Sequence, residues 1–147
     1  MIAAVATRRA EAGDLPAIRA LLGATGLPTA DITAWSAPWF LLAVEGDVVV
    51  GTAAVEPCGS FGLLRSLAVR PDRRGQGIGR HLVAACEARA DEARLRGLYL
   101  LTTTARHFFR ALDYDDLEHW ELPEAIRETK EYDSACRGSK AMMKRLR

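Results

Sequence analysis

Apolar positions in this chain recur in two rhythms. Leu15, Ile18, Leu21 and Leu22 repeat at helical spacing. Asp14 ahead of them is a good N-cap and Pro16 is tolerated in the first turn, so a helix is predicted over Leu15 to Leu22, closed by Gly26-Leu27-Pro28. A short strand, Val5 to Arg9, precedes it, and Asp31 to Ser36 reads as a short second helix. The rhythm then changes. Phe40 to Val44 and Val48 to Val55 are β-rich runs joined by the tight turn Glu45-Gly46-Asp47. Glu56 to Gly62 is turn-rich, and Leu63 to Val69 is a third antiparallel strand. Helical spacing returns over Gly79 to Leu95, where Leu82, Val83, Cys86, Ala90 and Ala93 form the apolar face. Gly97 ends that helix and Leu98 to Thr102 is a buried strand, which should lie parallel to 63–69 with a right-handed crossover. Ala105 to Leu112 is a short helix, Tyr114 to Leu122 a weaker strand, Pro123 to Lys130 a helix or helical turn, and Lys140 to Leu146 a final strand. The order β-α-α-β-β-β-α-β-α-β-β predicts an α/β fold on a mixed central sheet.

Composition narrows the function classes. At 147 residues the chain reads as one domain, 1–147, large enough for a real core. A net charge of +1 suggests neither nucleic acid nor a membrane surface as partner. No apolar run approaches a transmembrane length and no signal pattern opens the chain, so the cytoplasm is the expected location. Cys58, Cys86 and Cys136 are far apart and form no C-x-x-C pair. With His81, His107 and His119 at unhelpful spacings, no metal site is expected.

The densest chemical signal is Leu67-Ala68-Val69-Arg70-Pro71-Asp72-Arg73-Arg74-Gly75-Gln76-Gly77-Ile78-Gly79. A strand runs through a Pro-Asp turn and a glycine-rich, basic loop into a helix N-terminus. Glycines let the backbone approach a ligand, and the helix dipole favours an anion such as a pyrophosphate. No Gly-Lys-Ser/Thr follows, which excludes a Walker loop, and the G-x-G-x-x-G dinucleotide spacing is absent. An ordinary strand–turn–helix with packing glycines is the alternative at this point.

Arg74-x-x-Gly77-x-Gly79 behind Leu67-Ala68-Val69 resembles the acetyl-CoA pyrophosphate loop of the GCN5-related N-acetyltransferase (GNAT) superfamily, and the element order resembles that superfamily over nearly the whole chain. The resemblance implies a splayed acetyl-CoA-binding cleft in the sheet. Leu67 and Val69 would offer backbone hydrogen bonds to the cofactor, together with Ala68. Residues Arg74, Gly75, Gln76, Gly77, Ile78 and Gly79 would hold its pyrophosphate, and Thr102 and Phe108 would also lie against it. A backbone N–H near Leu67 would receive the oxyanion of the transfer. Acetyl-CoA is then the co-substrate, with no metal. Dimerisation is common in the superfamily, and the C-terminal strand is a candidate exchange element.

For the acceptor the resemblance divides. Leu27 to Asp31, Glu56-Pro57 and Leu100 to Ala105 look closest to the N-acetyltransferases of arsenic-resistance operons. Arg137-Gly138-Ser139-Lys140 looks like the N-acetylglutamate synthase acetyltransferase domain. That branch usually carries an acidic residue where this chain has Leu63, and the superfamily's Leu-Gly-Phe/Tyr turn is here Leu112-Asp113-Tyr114. The tyrosine that protonates the leaving thiolate in many members is Phe109. Coenzyme A is a tolerable leaving group without an acid, since thiol pKa values lie near ~8.5.

Glu56, at the end of a strand near the acceptor entrance, is the candidate base; the alternative is a solvated edge carboxylate. Arg65, with Ser66, is the first candidate for holding an acceptor carboxylate, and Lys140 the second. The leading reading is transfer of an acetyl group to the amine of a small amino-acid-like acceptor, with a link to arsenic or toxin resistance. Glutamate acetylation for arginine synthesis and a non-catalytic acyl-CoA-binding module are the rivals.

Overall fold

The computed structural model describes residues 5–135 and 138–146. Its first half is an antiparallel meander. β1 (Val5–Arg9) pairs with β2 (Phe40–Glu45), β2 with β3 (Val48–Cys58), and β3 with β4 (Phe61–Val69). The turn between β2 and β3 needs a left-handed residue, and Gly46 supplies it at φ 61°. After α2 (Ile78–Glu92), β5 (Gly97–Thr102) runs parallel to β4 as expected. The C-terminal strand β7 (Lys140–Arg145) inserts between β5 and β6 (Asp115–Leu117), giving the order β1-β2-β3-β4-β5-β7-β6. This candidate exchange strand is therefore paired on both sides within its own chain.

Both faces of the sheet are covered, which is why β2 reads as an unbroken apolar run. Leu41 and Ala43 pack under α2 with Leu82, Val83 and Cys86. Phe40, Leu42 and Val44 alternate to the other face and meet Ile18 and Leu22 of α1 (Leu15–Ala24). A third cluster joins Leu63 and Tyr99 to Leu122 and Ile126, the last on α4 (Glu124–Arg127). Among the described residues no helix is long and apolar enough to cross a membrane.

Five local expectations change. The segment 56–62 is not a loop: β3 continues to Cys58 and the turn is Gly59-Ser60. Pairing of β2 with β3 stops at Ala54, so Pro57 lies where β3 has only β4 beside it and a missing N–H is harmless. Asp31 to Ser36 is a series of turns rather than a helix. Ser36 Oγ takes the Thr33 N–H at 3.0 Å and donates to the Asp31 carbonyl at 2.9 Å, diverting the backbone from helical bonding. Asp14 does not cap α1 through its side chain; its carboxylate accepts the Glu11 N–H at 2.8 Å and pairs with Arg8 at 2.8 Å. The strand expected over Tyr114 to Leu122 shrinks to β6, and Pro123 to Lys130 becomes α4 followed by α5 (Lys130–Ser134). Thr129 separates those helices, donating to Ile126 O at 2.7 Å and accepting the Tyr132 N–H at 3.1 Å. Asp113 adopts the left-handed conformation expected of its turn, at φ 73°.

Gly97 pairs with Arg145 at the start of β5, and a Cβ there would stand 2.7 Å from the Lys144 carbonyl oxygen. Backbone cannot move aside as a side chain can. Gly97→Ala is expected to destabilise the fold by about 1–3 kcal/mol, read as a lower urea midpoint at unchanged slope.

Candidate active site

β4 and β5 are in register only at Gly62–Leu98 and Leu63–Tyr99, after which they part. On its other side β4 also leaves the ladder. Ala54 pairs with Arg65 and Thr52 with Ala68, so Ser66 and Leu67 together face Ala53. This bulge is closed by Ser66 at φ 57°, and Thr52 Oγ1 donates to the Ser66 carbonyl at 2.8 Å. Leu67 is thus outside the register with both neighbouring strands, and its backbone lies at the mouth of the gap.

Two cavities meet there. The wider, about 560 Å³, runs along Ala68 and Val69 to Arg74, Gly75, Gly77 and Gly79, with Phe108 on its wall. Gly75 and Gly77 take φ 79° and 84°, and Gly77 is the N-cap of α2. The N–H groups of the first turn of α2 have no intrahelical partners, and Arg73, Arg74 and Arg80 line the same groove, a combination whose charge suits a polyanion. Arg74 is tethered by a 3.2 Å bond from Nε to the Val69 carbonyl. Gln76 and Ile78 line neither cavity, and Ile78 is buried in the core; what they offer an anion is main chain.

The smaller cavity, about 250 Å³, lies between β4 and β5 and shares Leu27, Leu67, Thr104 and Ala105 with the first. Thr102 lines it, its Oγ1 accepting the Ala105 N–H at 3.0 Å. Arg65, Ser66, Glu131 and Ser139 supply its polar wall.

Arg65 is not available as the expected clamp for an acceptor carboxylate. Its side chain is fully buried and already committed. Nη1 donates to Asp31 Oδ2 at 2.6 Å and Glu56 Oε1 at 2.8 Å, Nη2 to Asp31 Oδ1 at 2.7 Å, and Nε reaches Ser66 Oγ at 3.4 Å. Burial opposes the Arg65 charge, but hydrogen bonds and attraction from Asp31, Glu131 and Glu56 hold its pKa above the ordinary value. The bond from Arg65 keeps the Asp31 carboxyl below the usual range. Glu56, the expected base, sits behind this guanidinium and lines neither cavity.

Glu131 differs from those two carboxylates. It comes from α5, lines the smaller cavity, and its Oε1 is buried 3.4 Å from Arg65 Nη2 without a hydrogen bond. Burial pushes its pKa up; Arg65 pulls against that, while Asp31 and Glu56 add to it. Ser139 Oγ, in the same wall, is also buried and has no hydrogen-bond partner among the described residues. Lys140 lines neither cavity; it is exposed and its charge acts on Asp116.

Glu131 and the Asp31–Arg65 pair were missed by sequence reasoning. One signal was present: an arginine in the apolar run Leu63-Leu64-Arg65-Ser66-Leu67 must find carboxylates when buried.

Tyr114 is excluded as an acid for the leaving thiolate. Its ring is in the core and its hydroxyl donates to Glu87 at 2.9 Å, with burial and Glu87 both raising its pKa. Phe109 packs against it, centroid to centroid at 5.5 Å. Cys58 and Cys86 are free thiols in different core clusters, each pushed by burial up to about 12. Cys136 and Arg137 lie outside the described residues. Among the described residues no group of His, Cys, Asp and Glu could hold a metal ion.

Residues 36–116 match the family model of the acetyltransferase (GNAT) domain. An amino-acid acetyltransferase of Ralstonia nicotianae is 33% identical over 106 residues, 70% of this chain and 23% of that protein. One of Ectopseudomonas mendocina is 34% identical over 88 residues, 58% of this chain and 20% of its own length. The chain thus spans about a fifth of the curated relatives it matches. Among solved structures, N-acetylglutamate synthase of Neisseria gonorrhoeae, complexed with coenzyme A and N-acetyl-glutamate, superposes with a TM-score of 0.86 at 27% identity, over 100% of this chain and 36% of that one. With more than half of its length matching the family, the strand gap, the bulge at Leu67 and the glycine loop have a common explanation: this chain belongs to the GNAT acetyltransferase domain family.

Proposed function

We propose that this protein is an acetyl-CoA-dependent N-acetyltransferase whose acceptor is the amine of a small amino-acid-like molecule. The observation that carries this reading is the meeting of the two cavities at Leu67. The anion-seating groove suits the pyrophosphate of acetyl-CoA. The gap between β4 and β5 takes its arm, with Leu67 and Val69 as backbone partners. The smaller cavity takes the acceptor. At about 250 Å³ it is below the usual range for drug-sized ligands, which favours a free small molecule over a peptide. Thioester aminolysis at Leu67 needs an oxyanion donor, which its main chain, free of the ladder, would supply.

Amino-acid acceptors have support in the relatives, which are amino-acid acetyltransferases. Glutamate itself is the less favoured acceptor, because Arg65 is neutralised by Asp31 and Glu56 and, among the described residues, no other cation lines the small cavity. A role in arsenic or toxin resistance rests on the resemblance of Leu27 to Asp31, Glu56-Pro57 and Leu100 to Ala105 alone. The reading sets the protein in the cytoplasm; a homodimer remains the superfamily expectation. Phe109, buried and without a hydroxyl, favours one second reading, a non-catalytic acyl-CoA-binding module.

A thiol-release assay with acetyl-CoA across the amino acids and their amides tests this. Turnover at about 1–10³ s⁻¹ with at least one of them is expected. Coenzyme A binding without thiol release from any acceptor would instead establish the binding module.

A further inference from the structure

We propose, resting on the acetyltransferase reading above, that Glu131 receives the acceptor's amine and takes its proton, with the Ser139 hydroxyl bonding a neighbouring oxygen of the same molecule. Three observations carry this. Glu131 and Ser139 line the small cavity that opens onto Leu67, where the thioester carbonyl would sit. Among the described residues each presents a buried oxygen without a hydrogen-bond partner, Glu131 Oε1, which has only the 3.4 Å ion pair with Arg65, and Ser139 Oγ. Leaving a buried polar atom unpaired costs about 1–3 kcal/mol, so a ligand that donates to one and accepts from the other is strongly favoured there. Finally, the neighbouring carboxylates are committed: Asp31 and Glu56 hold Arg65, whereas Glu131 stands 3.4 Å from Nη2 with no hydrogen bond.

The chemistry follows from this placement. An amine reaches the site as an ammonium, which the Glu131 carboxylate attracts. One ammonium proton passes to Glu131 and on to solvent. The neutral nitrogen attacks the thioester carbonyl, the new C–N bond forms, and the C–S pair leaves on sulfur. The second nitrogen proton reaches the thiolate through solvent, so one proton is released per turnover. A carboxylate is a better proton acceptor when its pKa is raised towards neutrality, and burial raises that of Glu131. The charged groups around it are Arg65 from β4, Asp31 from the turns after α1, Glu56 from β3, and Lys130 beside it on α5, whose charge reaches Asp31. The molecule read by this pair is an amine with a carbonyl or carboxyl oxygen close by, as in an α-amino acid or its amide.

The test compares the wild type with Glu131→Gln, Glu131→Asp and Asp133→Asn, with the acceptor that the thiol-release assay identifies. In the wild type, kcat/KM falls on the acid side through a pKa above the ordinary carboxylate range. Glu131→Gln is expected to lose at least about 100-fold in kcat and the acid limb with it. Its melting temperature should be unchanged or higher, since a buried charge becomes neutral, and its calorimetric affinity for coenzyme A unchanged. Glu131→Asp keeps the acid limb at reduced kcat, and Asp133→Asn, exposed on the same helix, behaves as wild type. A Glu131→Gln enzyme within about threefold of wild-type kcat and with the same acid limb overturns this proposal and leaves the acetyltransferase reading intact. Absence of thiol release from the wild type, with coenzyme A bound, overturns both.

Discussion

Replacing Arg65 with methionine is expected to cost the fold about 3–5 kcal/mol and to lower the melting temperature by roughly 10–15 °C. Methionine matches much of the stem volume, so packing is nearly preserved and the effect is electrostatic. What remains is Asp31, Glu56 and Glu131 facing one another with no cation between them. The effect depends on pH in a known sense. In the wild type the depressed Asp31 carboxyl contributes stability above its unfolded pKa, lost as pH falls through its lowered folded value. Glu131, with a raised pKa, works in the opposite sense and costs stability at neutral pH. Without Arg65 the Asp31 and Glu131 carboxylates take up protons more readily, so the variant recovers as pH falls from 7 towards 5 while the wild type does not gain as much. Urea titrations at both pH values measure this. Arg65→Lys should fall between the two, because one ammonium cannot reproduce the fork that bridges Asp31 and Glu56. A methionine variant within about 1 kcal/mol of wild type at pH 7 would show that the cluster is solvated and that its burial is not what organises the pocket.

The second large effect is expected at the loop. Gly77→Val should raise the KM for acetyl-CoA by about 30-fold, roughly 2 kcal/mol, while kcat changes little. Nothing lies within 4 Å of a Cβ placed on Gly77, so no clash drives the loss. The cause is conformational: Gly77 holds φ 84° and ψ 7° as the N-cap of α2, a left-handed backbone that a β-branched residue avoids. Valine relaxes the loop, and the first-turn N–H groups of α2 no longer converge on the groove. The interaction lost is one made equally with ground state and transition state, so KM carries the change. Steady-state kinetics at varied acetyl-CoA decide it; a kcat loss with unchanged KM would mean that the loop acts in the chemical step instead.

Local rules carried most of the fold. Helical and strand periods placed α1, α2 and β2 to β5, and Arg74-x-x-Gly77-x-Gly79 pointed to the groove proposed for acetyl-CoA, because those features depend on neighbours within a few residues. The polar wall of the small cavity depends on contacts between Asp31, Glu56, Arg65, Glu131 and Ser139, which lie far apart in sequence. Glu131 sits in Glu128-Thr129-Lys130-Glu131-Tyr132-Asp133, a segment whose composition looks like a solvated surface. Burial of that one carboxylate comes from Thr129 turning the chain between α4 and α5, not from any hydrophobic period. The bulge at Ser66 was hidden for a related reason: a serine in a strand gives no warning that it will take φ 57°. Lys140 misled because adjacency in sequence to Ser139 does not bring a strand residue to the same face.

The parting of β4 and β5 has a consequence beyond making room. The seven strands are two smaller sheets, β1 to β4 and β5-β7-β6, stitched at Gly62–Leu98 and Leu63–Tyr99. A molecule lying in the seam serves as a missing rung between them, so its concentration enters the folding equilibrium directly: at a thousandfold excess over Kd it adds about 4 kcal/mol to the stability of the closed sheet. Supply of that molecule would then govern how long the protein survives proteolysis, and a cell short of it would hold less of the protein, not merely an unliganded pool of it.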